Sequence, residues 1–97
     1  MITFQTLIDF EATCEEKNPS GYPHEIIEFP AVLVSSREKI VVDVFHSFVR
    51  PTINPKLSMF CHNLTGISQD TVDNADTFEV VHKHFLEWMS THQLGTK

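Results

Sequence analysis

Asp9 and Glu11 stand two residues apart in the run LIDFEATC, Leu7 to Cys14, where an apolar segment ends. Side chains on a strand alternate between faces, so this spacing turns both carboxylates the same way, with Cα atoms roughly 6.5 to 7 Å apart. Hard oxygen ligands of this kind suit magnesium or manganese. Such a pair can share two ions roughly 3.5 to 4 Å apart, the separation used for in-line displacement at phosphorus, with one ion preparing the attacking water and the other stabilising the leaving oxygen. The clustered negative charge is tolerable only while metal is bound. Standing alone, a D-x-E pair at a strand end is also commonly just a solvated edge.

The remaining polar residues suggest less. His24, His46, His62, His82, His84 and His92 show neither HExxH nor paired CxxC spacing, so a zinc site is not expected. His82 and His84 would point to different faces of a helix, and Cys61 and His62 are adjacent and awkward as joint ligands. These histidines read as surface or satisfied core residues. Glu15 and Glu16 read as a solvated acidic run, with outer-sphere metal contact as the alternative. Cys14 has no neighbouring base to make it a nucleophile.

To position the carboxylates, the chain must first build strands. Thr3 to Phe10 is β-branched and apolar, and Leu7-Ile8 reads as a central strand buried on both sides. EEKNPSGYPHE clusters Asn18, Pro19, Ser20, Gly21 and Pro23 and reads as a surface loop. IIEFPAVLV resumes the strand pattern, with Pro30 calling for an edge position or a bulge. After a polar turn from Ser35 to Lys39, IVVDVFHSFV forms a third strand that Arg50-Pro51 closes. Short connections make these three an antiparallel meander. The period then changes. Asn54 with Pro55 is a suitable helix start, Leu57, Phe60, Cys61 and Leu64 fall at helical spacing, and Gly66 is a stop. A loop rich in Asp and Asn leads to Asp76 as N-cap with Glu79 three residues on, and Phe78, Val81, Phe85 and Trp88 form an apolar stripe that Gly95 would end.

With 97 residues, 41% of them hydrophobic and 21% charged, the chain has the profile of one small folded domain. Its net charge of −6 rules out a broad basic surface as the attraction for nucleic acid, so metal ions or another basic segment would have to help. Cys14 and Cys61 are the only cysteines and form no CxxC pair, so reduced thiols in the cytoplasm or nucleus are expected rather than secretion. No signal peptide or membrane span is expected.

LIDFEATC followed by HEIIEFPAVLV, FVRP and FCHNLTGISQDTVDNADTF resembles the DEDDh 3′-to-5′ exonucleases, specifically the Eri-type exoribonucleases that trim histone-mRNA 3′ ends and small interfering RNA. The likeness runs from about Thr6 to the last residue in several separated blocks. It implies an α/β, RNase H-like fold, here a three-strand meander followed by two helices. It also implies that Asp9 and Glu11 bind two Mg²⁺ ions, with Mn²⁺ as a substitute, and that Glu11 and the backbone near Ala12 contact the terminal nucleotide. Phe60 and Leu64 would pack against the 3′-terminal base, since stacking on apolar faces is tolerant of base identity. From periodicity alone, Phe60 is equally a core position on the stripe from Leu57 to Leu64.

The resemblance further implies two more aspartates and a histidine, in blocks like T-D-G-x-W-D and H-x4-D, and neither block occurs in these residues. The expectation is therefore the N-terminal part of a single exonuclease domain. Its role would be hydrolysis at RNA 3′ ends, single-stranded or with short overhangs, and the chain by itself would be inactive. The alternative is a short, non-catalytic isoform that binds RNA or protein.

Overall fold

The computed structural model describes residues 4–16 and 21–92. A single antiparallel sheet holds β1 (Phe4–Ile8), β2 (Glu11–Ala12), β3 (Ile26–Ser35) and β4 (Ile40–Phe48), with β3 pairing all three others. Three helices follow, α1 (Met59–Thr65), α2 (Gln69–Asp73) and α3 (Phe78–Thr91). The α/β meander followed by helices is thus the architecture, with one short helix, α2, in the Asp- and Asn-rich stretch expected to be a loop. The Asn18, Pro19 and Ser20 cluster and the Gly95 stop lie outside the described residues.

β1 and β2 are two pieces of one strand. The register that pairs Ile8 with Ala31 continues unchanged to Glu11 with Glu28, which sets Asp9 opposite Pro30. On its other side β3 pairs with β4 continuously through Pro30 and His46. Proline has no N–H to donate, and the ladder opens on the Asp9 side. Pro30 was expected at an edge or bulge; it sits instead in the central strand, and its missing donor is absorbed by this gap.

The expectation for Leu7-Ile8 is overturned as well. β1 pairs only with β3, so it is an edge among the described strands, and Leu7 and Ile8 are 51% and 42% exposed. An apolar pair can be buried on both sides only where neighbours supply both sides.

On one face of the sheet, α3 closes a core of Phe29, Ala31, Val49, Val81 and Phe85. The ring of Phe29 meets Phe10 edge-on at 4.7 Å and Phe85 at 4.8 Å, so one phenylalanine joins the sheet to the helix. Val81 and Phe85 of the expected stripe are buried, Trp88 is half-buried, and Phe78, though exposed and stacked on His82, still reaches the ring of Phe29 at 6.3 Å. The helix cap is Thr77 rather than Asp76, whose carbonyl accepts a bond from the Arg50 N–H. At the far end of α3, Asp43 accepts hydrogen bonds from Trp88 Nε1 at 2.9 Å and His92 Nε2 at 2.8 Å. These bonds, His92 first, hold the Asp43 carboxyl below its ordinary range.

A second core gathers Ile27, Cys61, Ile67 and Val72, with Cys14, Phe48 and Leu57 packed against it. It is the seat of α1 and α2. The Asn54-Pro55 helix start is not realised. Glu25 reaches across and takes the backbone N–H groups of Thr52, Ile53 and Asn54, and the Gln69 side chain takes that of Leu57. The segment is thereby held irregular until Ser58, whose hydroxyl accepts from the Cys61 N–H and caps α1. Gly66, at φ 76°, ends that helix as expected.

Candidate metal-binding site

Between the two carboxylates lies Phe10, and its ring packs on Phe29 in the core beneath α3. Alternation along the strand then turns Asp9 and Glu11 to the opposite, open face, the side of Leu7, Pro30 and Glu28. Both carboxylates are exposed, and neither has a hydrogen-bond or ion-pair partner among the described residues. A third carboxylate, Glu28, stands directly across the ladder from Glu11. It is committed to His46, whose Nε2 lies 2.6 Å from its Oε2. Like charges facing each other across a sheet are destabilising, and the imidazole draws one of them away.

The donor chemistry fits a hard divalent cation as far as it goes. Asp9 and Glu11 offer unencumbered carboxylate oxygens on one face, but among the described residues no group of three potential ligands gathers around them or elsewhere. The histidines are dispersed, in keeping with their reading as surface or satisfied residues. His46 and His92 pair with carboxylates, while His24 and His62 bond to carbonyls.

Immediately past Glu11 the backbone is gripped from two directions. Three successive carbonyls meet side chains of other segments: Ala12 the Cys61 thiol at 3.7 Å, Thr13 His24 Nδ1 at 2.8 Å, and Cys14 the Ser58 hydroxyl at 2.8 Å. Buried Thr13 adds a backbone bond to the Glu25 carbonyl and accepts the Glu25 N–H on its own hydroxyl. The strand that bears the carboxylates is thus fixed to α1. Half-buried Phe60 belongs to neither core cluster, and Leu64 is 68% exposed. Of the stripe from Leu57 to Leu64, Cys61 alone is fully buried, Phe60 is half-buried outside both clusters, and Leu64 is the more exposed of the two apolar residues.

Thr13 and Ser58 belong to no chemical motif in the sequence, and His24 reads there only as a surface or satisfied residue. Only Ser58 left a readable trace, a serine three residues ahead of the first buried position of a helix. Burial, then the adjoining Cys61 thiol, push the Cys14 thiol up to about 11, which disfavours the reactive thiolate. A cavity of about 420 Å³ lined by His24, Glu25, Arg50, Thr77 and Phe78 lies apart from Asp9 and Glu11, which contribute nothing to its walls.

Comparison with known proteins supplies a context for this geometry. The exonuclease family model RNase_T matches residues 6–96. Among individual proteins, 3′-5′ exoribonuclease 1 of Homo sapiens is 56% identical over 91 residues, covering 94% of this chain and 26% of that protein. The 3′-5′ exonuclease eri1 of Schizosaccharomyces pombe is 43% identical over 91 residues, covering 94% of this chain and 31% of the relative. The solved nuclease domain of 3′hExo, a DEDDh family member bound to rAMP, superposes with a TM-score of 0.93 at 54% identity, covering 97% of this chain and 47% of that one. The chain therefore spans about a quarter of the length of 3′-5′ exoribonuclease 1 and about half of a solved nuclease domain.

Proposed function

The chain belongs to the RNase_T exonuclease family, and from that premise we propose that it carries the metal carboxylates and the terminal-nucleotide subsite of a 3′-to-5′ exoribonuclease. One observation carries the reading: Asp9 and Glu11 project unpaired from one open face, and α1, with Phe60 and Leu64, is bonded to the backbone just beyond them. Exonucleases of the DEDDh type use divalent metal ions, and magnesium is the ion proposed here. Asp9 and Glu11 would be two of its ligands. When bound, the metal supplies an activated water and charge stabilisation at the leaving oxygen. The chain's own residues do the holding. Glu11 and the Ala12 backbone meet the terminal nucleotide, and Phe60 and Leu64 offer apolar surface to its base.

RNA is the proposed polymer. The relatives are named as exoribonucleases, and a related 3′-exonuclease, 53% identical, recognises the 3′ end of the histone mRNA stem-loop. With a net charge of −6, the chain cannot draw a phosphate backbone by its own field, so cations at the carboxylates offset the repulsion. Phosphodiester hydrolysis needs further ligands and a base beyond these two carboxylates. The function proposed for the described residues is accordingly binding and orientation of the RNA 3′ end rather than turnover unaided.

Titration with Mn²⁺, followed by paramagnetic broadening of amide resonances, tests the assignment. Broadening should centre on residues around Asp9 and Glu11 and disappear in Asp9→Asn and Glu11→Gln, with the thermal melt little changed because both residues are exposed. Equal Mn²⁺ affinity in parent and both variants would remove the carboxylate pair as a metal site.

A further inference from the structure

The sequence marks Ser58 only as a helix-capping type, yet its hydroxyl makes two bonds to two different elements. Its oxygen accepts the Cys61 N–H at 3.0 Å, satisfying one of the free donors at the start of α1. Its single proton goes to the Cys14 carbonyl at 2.8 Å, three residues past Glu11 and 44 residues away in sequence. The first bond lies within the helix start; the second ties the helix to the strand of the carboxylates. The companion contact, Cys61 thiol to Ala12 carbonyl at 3.7 Å, is a weak sulfur bond, so Ser58 makes the stronger of the two hydrogen bonds from α1 to that strand, beside the packing of Cys61 and Cys14 in the second core. α1 is only seven residues long, too short to hold its own place by helical propensity.

We propose that Ser58 is a positioning residue that fixes the distance between the Asp9 and Glu11 carboxylates and the base-contacting surface of Phe60 and Leu64. This rests on the nucleotide subsite proposed above. A nucleotide that bridges the two surfaces binds well only if their spacing is set beforehand, because each side chain or segment ordered on binding subtracts from affinity. Ser58 sets it without touching the nucleotide.

Capping and tethering can be separated by substitution. Glycine is nearly as good an N-cap as serine but has no hydroxyl to donate, whereas threonine keeps both functions. Ser58→Gly should therefore leave the Mn²⁺ affinity close to that of the parent chain and lower the melt by no more than the loss of one hydrogen bond. Its affinity for adenosine 5′-monophosphate in the presence of Mg²⁺, followed by chemical-shift titration, should fall about five- to tenfold, the worth of one hydrogen bond. Ser58→Thr should restore it. Phe60→Ala serves as the control for the subsite itself. If Phe60→Ala weakens nucleotide binding and Ser58→Gly does not, the positioning role is wrong while the subsite stands. If Phe60→Ala has no effect, or the parent chain binds no nucleotide, the subsite reading falls and the role of Ser58 falls with it.

Discussion

The two faces of the sheet are built on different terms. Beneath α3, phenylalanines from β3, β4, the Asp9–Glu11 link and the helix converge on Phe29 and seal the middle of the face, while Ile8 and Phe10 at its edge stay partly in water. On the other side Leu7, Val41 and Val44 lie half in water, and Asp9 and Glu11 project among them without partners. Aromatic packing demands no particular chemistry but tolerates no polar intrusion, so the sealed face can specify the fold while the open one keeps two carboxylates accessible to a cation. Phe10 and its two acidic neighbours show how narrow the partition is: three consecutive residues serve both faces by alternation alone.

The sharpest way to break this contrast is from the sealed side. Phe85→Ala should cost about 3 to 5 kcal/mol of unfolding free energy, read from a denaturant titration, because it opens a hole against Phe29, Phe45 and Trp88. A loss below about 1 kcal/mol would mean that the face is not the principal core. An intermediate effect belongs to Glu25. Burial favours its protonated form, but the N–H groups of Asn54, Ile53 and Thr52 prevail and hold its pKa below the usual 4.5. A depressed folded-state pKa stabilises above the unfolded value, and that stability is lost as pH falls through the lower folded-state value. Asp43, also depressed, acts in the same direction. Thermal melts at stepwise lower pH should thus decline below the ordinary carboxylate range, and Glu25→Gln should flatten the decline while costing about 1 kcal/mol at neutral pH. An unaltered acid limb in that variant would assign the effect elsewhere. On the open side, Leu64→Ala should change stability by no more than about 0.5 kcal/mol, since the side chain is largely in water. A larger loss would place Leu64 in a packed core and contradict its role as an outward surface.

The same contrast explains what could be read in advance. Period-two alternation revealed the facing of Asp9 and Glu11, and period 3.6 revealed the buried side of α3, because both depend on neighbours a few residues away. The start of α1 was misplaced because Glu25 withdraws the backbone donors of residues 52–54 from a distance of 27 to 29 positions in the chain. Leu7 and Ile8 advertise their capacity for burial, but whether they are buried depends on what lies along the outer edge of β1, which no local pattern records. Thr13 and Ser58 are small polar residues whose importance comes wholly from long-range partners, and small polar residues look alike in a sequence. The several-block likeness to the exonucleases reached further than periodicity, because it carries the outcome of such long-range pairing without displaying it.

Pro30, with no N–H to donate, leaves a gap in the ladder opposite Asp9. Mechanically, that gap is a joint. A strand stapled at every rung moves as a plank, whereas one with a rung missing can twist locally at small expense while Leu7 and Glu11 stay clamped in register on either side. Asp9 sits on that joint, and Glu11 on the clamped side. In the metal site proposed above, Asp9 would thus be the carboxylate free to adjust and Glu11 the one held by its pairing with Glu28, just before the register shift at Ala12.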